Sequence, residues 1–294
     1  MRTEEALAAA GIDPASVVAS EEIGGGTYNT AIRLALSDGR RLVLKIAPSA
    51  PGLSHEHDLL ATEAEYYRRV SGPLPSVVGA GPGFLLMTEL PGVPWSQLRD
   101  PGPRAELGAI VAGLHGVTGD GFGYPQDPLR PTWPMAFTAM ADTVLADAVR
   151  YGVRLPRPAA EISHLVQRHE PLLELVTTPV LVHFDLWKGN ILLDGDRVSG
   201  IIDAERAFWG DPVAEFVSLT LFRDLDTALV EGYRAAGGPA RFDAPSRRRL
   251  ALYRVYLDLI MLAELVPRKD GDAGRARLIT EHLVADLDTV QRAL

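Results

Sequence analysis

No cysteine occurs among the 294 residues. That excludes disulfides, thiol nucleophiles and cysteine-ligated zinc. Basic residues are the scarcer charge. The 29 Lys and Arg against 38 Asp and Glu leave a formal net charge of −9, which argues against a nucleic-acid surface or a polybasic membrane contact. No apolar run approaches the length of a membrane span. The start, Met1-Arg2-Thr3-Glu4-Glu5, carries two acids and no long apolar core after it, so it does not read as a secretory signal and cytoplasmic residence is expected. Repeats and low-complexity tracts are also missing. With 47% hydrophobic and 23% charged residues, the chain can bury a sizeable core in one large domain or two lobes.

One stretch organises the rest: Leu181-Val182-His183-Phe184-Asp185-Leu186-Trp187-Lys188-Gly189-Asn190-Ile191-Leu192-Leu193. The apolar run Val180 to Val182 reads as a short buried strand. Ile191 to Leu193 and Val198 to Ile202 flank Asp194-Gly195-Asp196 and read as a hairpin with a D-G turn. The hairpin would return Asp203 to the side of the Asp185–Asn190 loop. Asp and Asn also gather in turns for purely local reasons, so no single one of these residues carries the argument. Their order does. Phosphoryl transfer needs a group to take the acceptor's proton and hard oxygen donors for Mg²⁺. Asp185 suits the first task, and Asn190 with Asp203 suits the second.

Earlier in the chain, Gly24-Gly25-Gly26-Thr27 lies between strand-like segments. Its glycines permit close backbone approach to phosphates. It is not a Walker A loop, because no Gly-Lys-Ser/Thr follows. It is not a dinucleotide fingerprint, because a strand rather than a helix comes next. Lys45 sits inside the apolar run Leu42 to Ile46, where an ammonium needs a partner. A helix is expected over 54–70 with Ser54 as N-cap; it carries Glu56, Glu63 and Glu65. Phe84 to Met87 reads as a strand, and Pro91, Gly92 and Pro94 mark a change from strands to helices. Further helices are expected over 105–117, 135–149, 158–175, 227–236, 246–266 and 273–294. Asp142 and Asp147, and the run Arg247-Arg248-Arg249, are read as solvated faces. Asp211 and Glu215 are read as structural supports, with Asp211 as N-cap before Pro212.

His183-Phe184-Asp185, Asn190 five positions on, and Ile202-Asp203 resemble the catalytic and metal motifs of the aminoglycoside phosphotransferase family, within the protein-kinase-like superfamily. The resemblance extends over Gly24 to Ala47, Glu63, Phe84 to Gly92 and His183 to Pro212. Phe184 departs from it, because small-molecule kinases of the family often carry Gly there; Lys188 is also an unusual choice. The resemblance implies an α+β fold of two lobes: residues 1–90 as a small antiparallel-sheet lobe that binds nucleotide, and 91–294 as a larger, mostly helical lobe. It implies ATP and Mg²⁺ as cofactors. Gly25, Gly26, Thr27 and Lys45 would hold the phosphates, Glu63 would hold Lys45, and Glu89 and Leu90 would meet the adenine edge. Asp185 would be the catalytic base, Asn190 and Asp203 the metal ligands, and His183 a residue that fixes the loop. The γ-phosphoryl group would pass to a hydroxyl of a small molecule, an antibiotic first. A metabolite such as a fructosamine, choline or sugar is the alternative acceptor, and a non-catalytic nucleotide-binding module the alternative function. The chain would act as a monomer or homodimer.

Overall fold

The computed structural model describes residues 3–24, 29–48, 52–99 and 102–292. The N-terminal part is a five-stranded antiparallel sheet. Its strands are β1 (Val17–Ile23), β2 (Thr30–Leu36), β3 (Arg41–Ile46), β4 (Val77–Gly81) and β5 (Phe84–Thr88), in the spatial order β1-β2-β3-β5-β4. Strand alternation divides the side chains between two faces. Leu34, Leu36, Leu42, Leu44, Phe84 and Leu86 pack with Ala6 and Leu7 of helix α1 (Thr3–Ala9) in a small separate core. The opposite parity sends Val43, Leu85 and Met87 into the main core. Lys45, of that same parity and paired in register with Leu85, therefore faces helix α2 (Leu59–Arg69) rather than α1.

The helix expected from Ser54 begins five residues later. Ser54 is not a cap: its N–H and hydroxyl both donate to Asp147, the hydroxyl at 2.6 Å. The capping signal is local, and a partner 93 positions away in sequence overrides it.

Beyond Thr88 the pairing changes hands. Strand β6 (Val93–Pro94) pairs with β8 (Ile191–Asp194), and β8 with β9 (Arg197–Ile201) around a turn in which Gly195 takes φ +62°. Strand β7 (Val180–Val182) pairs with β10 (Phe208–Gly210). The helices are α3 (Arg104–Leu114), α4 (Trp133–Arg150), α5 (Ala159–Gln167), α6 (Glu170–Leu173), α7 (Glu215–Leu219), α8 (Thr227–Ala235), α9 (Ala244–Glu264) and α10 (Ala273–Arg292). The single helix expected over 158–175 is two, broken at His169 before Pro171, which cannot continue the helical bonding. Helix α9 is the spine. It is buried along most of its length, and its Tyr253 and Tyr256 close an aromatic cluster with Trp133, Phe137, Phe184 and Phe208.

Two expected solvated faces are corrected. Arg249 is buried, with its Nε 2.6 Å from Asp211 Oδ2, and Tyr253 donates to the same oxygen. Asp147 is buried on Ser54. Each has a long-range polar partner that makes burial of its charge tolerable. Among the described residues no helix is long and apolar enough to cross a membrane.

Candidate active site

The Asp185 loop is fastened by its main chain. Glu215, at the start of α7, accepts from the N–H groups of His183 and Phe184 at 2.8 Å each. Its Oε2 also meets His115 Nε2 at 3.3 Å, and Tyr233 holds the other ring nitrogen of His115. Ser218 Oγ, one turn on, accepts from Leu186 N–H at 2.9 Å. The Asp185 N–H donates to His183 Nδ1 (3.3 Å), while His183 Nε2 lies 3.0 Å from the Ile202 carbonyl. Burial holds the His183 ring below its usual proton affinity. A neutral ring can accept at Nδ1 and donate at Nε2, so His183 ties the loop to the end of β9. Phe184 takes a left-handed φ of +63° with its ring fully buried against Phe208. Such a backbone is strained for any residue but glycine. Packing of the ring offsets the strain.

The loop presents Asp185 beside Asn190. Asn190 Nδ2 donates to the Asp185 carbonyl (2.9 Å) and to Asp185 Oδ2 (3.1 Å), which leaves its amide oxygen directed elsewhere. The Asn190 carbonyl accepts from Ile202 N–H at 3.0 Å, so the hairpin lays the Asp203 turn along the Asn190 strand. Asp203 stands at φ +70°, with its N–H bonded to Tyr67 Oη at 2.8 Å.

Lys45 Nζ lies 2.8 and 2.7 Å from the two carboxylate oxygens of Glu63 and also pairs with Asp203 Oδ1. Burial alone would pull its proton affinity down, but the Asp203 and Glu63 carboxylates override that and raise it. Tyr67 Oη donates to Glu63 at 2.7 Å. One α2 carboxylate thus joins the sheet, and through Tyr67 the Asp203 turn. Burial pushes the Asp185 carboxyl up to about 7, against the pull of Arg206. Arg206 is itself held by Glu264 at 2.6 Å. Glu264 also binds Arg268, which reaches Glu56 at 2.6 Å. Glu56, weighed beside Glu63 from the sequence as the lysine's partner, therefore belongs to a different ion chain. Glu65, the other competitor, pairs with Arg69 on the helix surface.

Sequence reasoning did not single out Glu205. It is buried, accepts from Asn29 Nδ2, and is pushed up to about 8 by burial and the neighbouring Asp203 charge. Carboxylate oxygens of Glu63, Asp203 and Glu205 lie within 4.8 Å of one another. Its two-residue spacing from Asp203 was the available signal. Glu89 is clamped between Arg33 and Arg41 at 2.5 and 2.6 Å, and its N–H donates to the Arg41 carbonyl. The Leu90 side chain packs over Gly200, where an added Cβ would stand 2.7 Å from Leu90 Cδ1. Gly25, Gly26 and Thr27 lie outside the described residues.

A five-stranded antiparallel sheet with a Lys–Glu pair, set over a helical lobe that carries an Asp-x₄-Asn loop, defines the protein-kinase-like phosphotransferases. The chain belongs to the phosphotransferase enzyme family, whose sequence profile matches residues 20–253. It is 30% identical over 210 residues to a chloroplastic protein-ribulosamine 3-kinase of Arabidopsis thaliana, a match that covers 66% of this chain and 63% of that protein. The match thus spans less than two thirds of the plant protein's length. A crystal structure from Thermobifida fusca YX-ER1, carried under the provisional name fructosamine-3-kinase, superposes with a TM-score of 0.72 at 23% identity, covering 98% of this chain and 96% of the other. A thermostable mutant of the aminoglycoside phosphotransferase APH(4)-Ia, in a ternary complex with ADP and hygromycin B, gives a TM-score of 0.62 at 20% identity over 94% and 95% of the two chains. These likenesses establish the kinase-like fold.

Proposed function

We propose that the protein transfers the γ-phosphoryl group of ATP to a hydroxyl of a small ketoamine, a sugar-derived amine of the fructosamine or ribulosamine class. The observation that supports the reaction is the convergence of Lys45, Glu63 and Asp203 beside the Asp185–Asn190 loop. In this reading Asp185 orients the acceptor hydroxyl and accepts its proton. Lys45 binds phosphate oxygens and Glu63 positions Lys45. Gly25, Gly26 and Thr27 are the residues proposed to meet the phosphates. The Glu89 N–H is already engaged, so the adenine edge falls to the Glu89 carbonyl and the Leu90 N–H. The lobes divide at Leu90, where strand pairing passes from β5 to the β6–β8 ladder.

The donor set fits Mg²⁺: the Asn190 amide oxygen and the Asp203 and Glu205 carboxylates are hard oxygen ligands. Bound there, the ion would neutralise phosphate charge. ATP as donor is supported by the nucleotide in the APH(4)-Ia complex, and the ketoamine acceptor by the names of the plant and Thermobifida relatives. The antibiotic acceptor placed first from the sequence becomes the second reading, supported by the APH(4)-Ia likeness.

The test is ADP release with Mg·ATP and a panel of fructosyl- and ribulosyl-amines, aminoglycosides, macrolides and choline. Ketoamine-stimulated release that disappears in Asp185→Asn supports the reading. Stimulation by an aminoglycoside alone moves the acceptor to the second reading. Silence with ATP bound makes the protein a non-catalytic nucleotide binder.

A further inference from the structure

A cavity of about 270 Å³ lies between α7, α9 and α10, and none of Lys45, Glu63, Asp185, Asn190, Asp203 or Glu205 lines it. Its floor is Asp258 on α9, only 4% exposed, beside Asp286 on α10. Asp258 Oδ2 has no hydrogen-bond partner among the described residues. Two ionised carboxylates are acceptors only, so a proton, another donor or a cation has to stand between them. Burial and the Asp286 charge push Asp258 up to about 8, and burial raises Asp286 as well; Arg254 opposes both. Both shifts favour a proton on the pair, at a place where a cation would fit.

The rest of the wall carries two arginines, one further acid, Asp224, and apolar side chains. Arg254, one turn before Asp258 on α9, donates to the Arg223 carbonyl at 3.3 Å. Arg223 and Asp224 are exposed at the mouth. His282, on α10, stacks on Phe222 at 4.3 Å between ring centroids. Phe222 is held at φ +57°, a strained conformation of the kind that gathers at ligand sites. His282 and the two acids do not make a metal centre. The one group of three ligands that converges closely enough among the described residues is Glu63, Asp203 and Glu205.

We propose that this cavity binds a small amino acid-like zwitterion, its ammonium on Asp258 and Asp286 at the floor and its carboxylate on Arg254 and Arg223 at the mouth. The ammonium takes the place of the shared proton, which leaves to solvent. A cavity of this size holds roughly nine waters, enough for a four-carbon chain bearing both groups.

The test is calorimetric titration of the full chain at pH 7 with 4-aminobutyrate, n-butylamine and butyrate, each in two buffers of different ionisation enthalpy. Affinity should fall by tenfold or more from 4-aminobutyrate to n-butylamine, and butyrate should bind more weakly still. Binding of either amine should release protons. Asp258→Asn should weaken both amines at least tenfold and abolish the proton release. Arg254→Gln should bring 4-aminobutyrate down to the level of n-butylamine. The less buried Asp286→Asn provides a second arm, and thermal unfolding checks that each variant is folded. Absence of heat with both amines overturns the proposal. So does unchanged amine affinity in both Asp variants, or saturable binding of Mn²⁺ at these residues with none of the amines.

Discussion

Lys45 Nζ sits 2.8 and 2.7 Å from the two carboxylate oxygens of Glu63, so one ammonium ties β3 to α2 across 18 positions of sequence. Both side chains are buried, and without Glu63 the ammonium keeps only Asp203 as a carboxylate partner while Tyr67 Oη loses its acceptor. Glu63→Ala should therefore destabilise the fold by about 1–3 kcal/mol. Glu63→Gln, which keeps the shape and a hydrogen-bond acceptor, should lose less. Urea unfolding of both variants checks the order, and equal midpoints would contradict it.

Asp185 makes activity and stability respond to pH in opposite directions. Its carboxyl is pushed up to about 7, and the proposed role needs the ionised form, so kcat/KM should fall about tenfold per pH unit below 7. A raised carboxyl pKa means that the folded protein keeps a proton the unfolded chain has released, between about 3.9 and 7. Stability from this group is present at low pH and is lost as pH rises through that window. Asp185→Asn should abolish turnover and also raise the melting temperature more at pH 8 than at pH 4.

His55 acts on the acid side. Burial lowers it to about 3, and its ring stacks on Tyr124 at 5.1 Å. Below about pH 6.5 the unfolded chain binds a proton that the folded protein refuses, so stability falls with falling pH, by about 1.4 kcal/mol per unit at most. His55→Phe keeps a ring on Tyr124 and should flatten the melting temperature between pH 6.5 and 4. A profile unchanged from the parent would show that another group controls the acid limb.

Phe184→Gly sets two effects against each other. Glycine relieves about 1–2 kcal/mol of left-handed strain, while loss of the buried ring against Phe208 and Tyr256 costs about 3–5 kcal/mol. The cavity left by the ring outweighs the relief, so the variant should be less stable by about 1–4 kcal/mol in denaturant unfolding. A gain in stability would mean that the backbone strain outweighs the packing of the ring.

The sequence is most legible where chemistry restricts residue type and order. Asp185, Asn190, Asp203 and Lys45 stand out as polar groups in or beside short apolar runs, and the fold brings Lys45 onto Asp203 and Asn190 onto Asp185. The α2 start is misleading because Ser54 carries a valid capping signal whose hydroxyl is engaged by Asp147. Arg249 and Asp147 escape because helical spacing says which residues share a face, not what stands opposite that face. The acid pair of Asp258 and Asp286 lies on different helices, so neither helix's own pattern contains it.

Glu215 and Ser218 grip the Asp185 loop by the backbone N–H groups of His183, Phe184 and Leu186. Every residue except proline supplies such a group. The path of the loop is therefore encoded in part 32 positions downstream, in α7, and in part by its own His183, Phe184 and Asn190 side chains. Trp187, 43% exposed, and its neighbour Lys188, whose ammonium lies over the Trp95 ring, contribute no side chain to that grip. The anchoring of the loop and the identity of the side chains at 187 and 188 are thereby separate features of the chain.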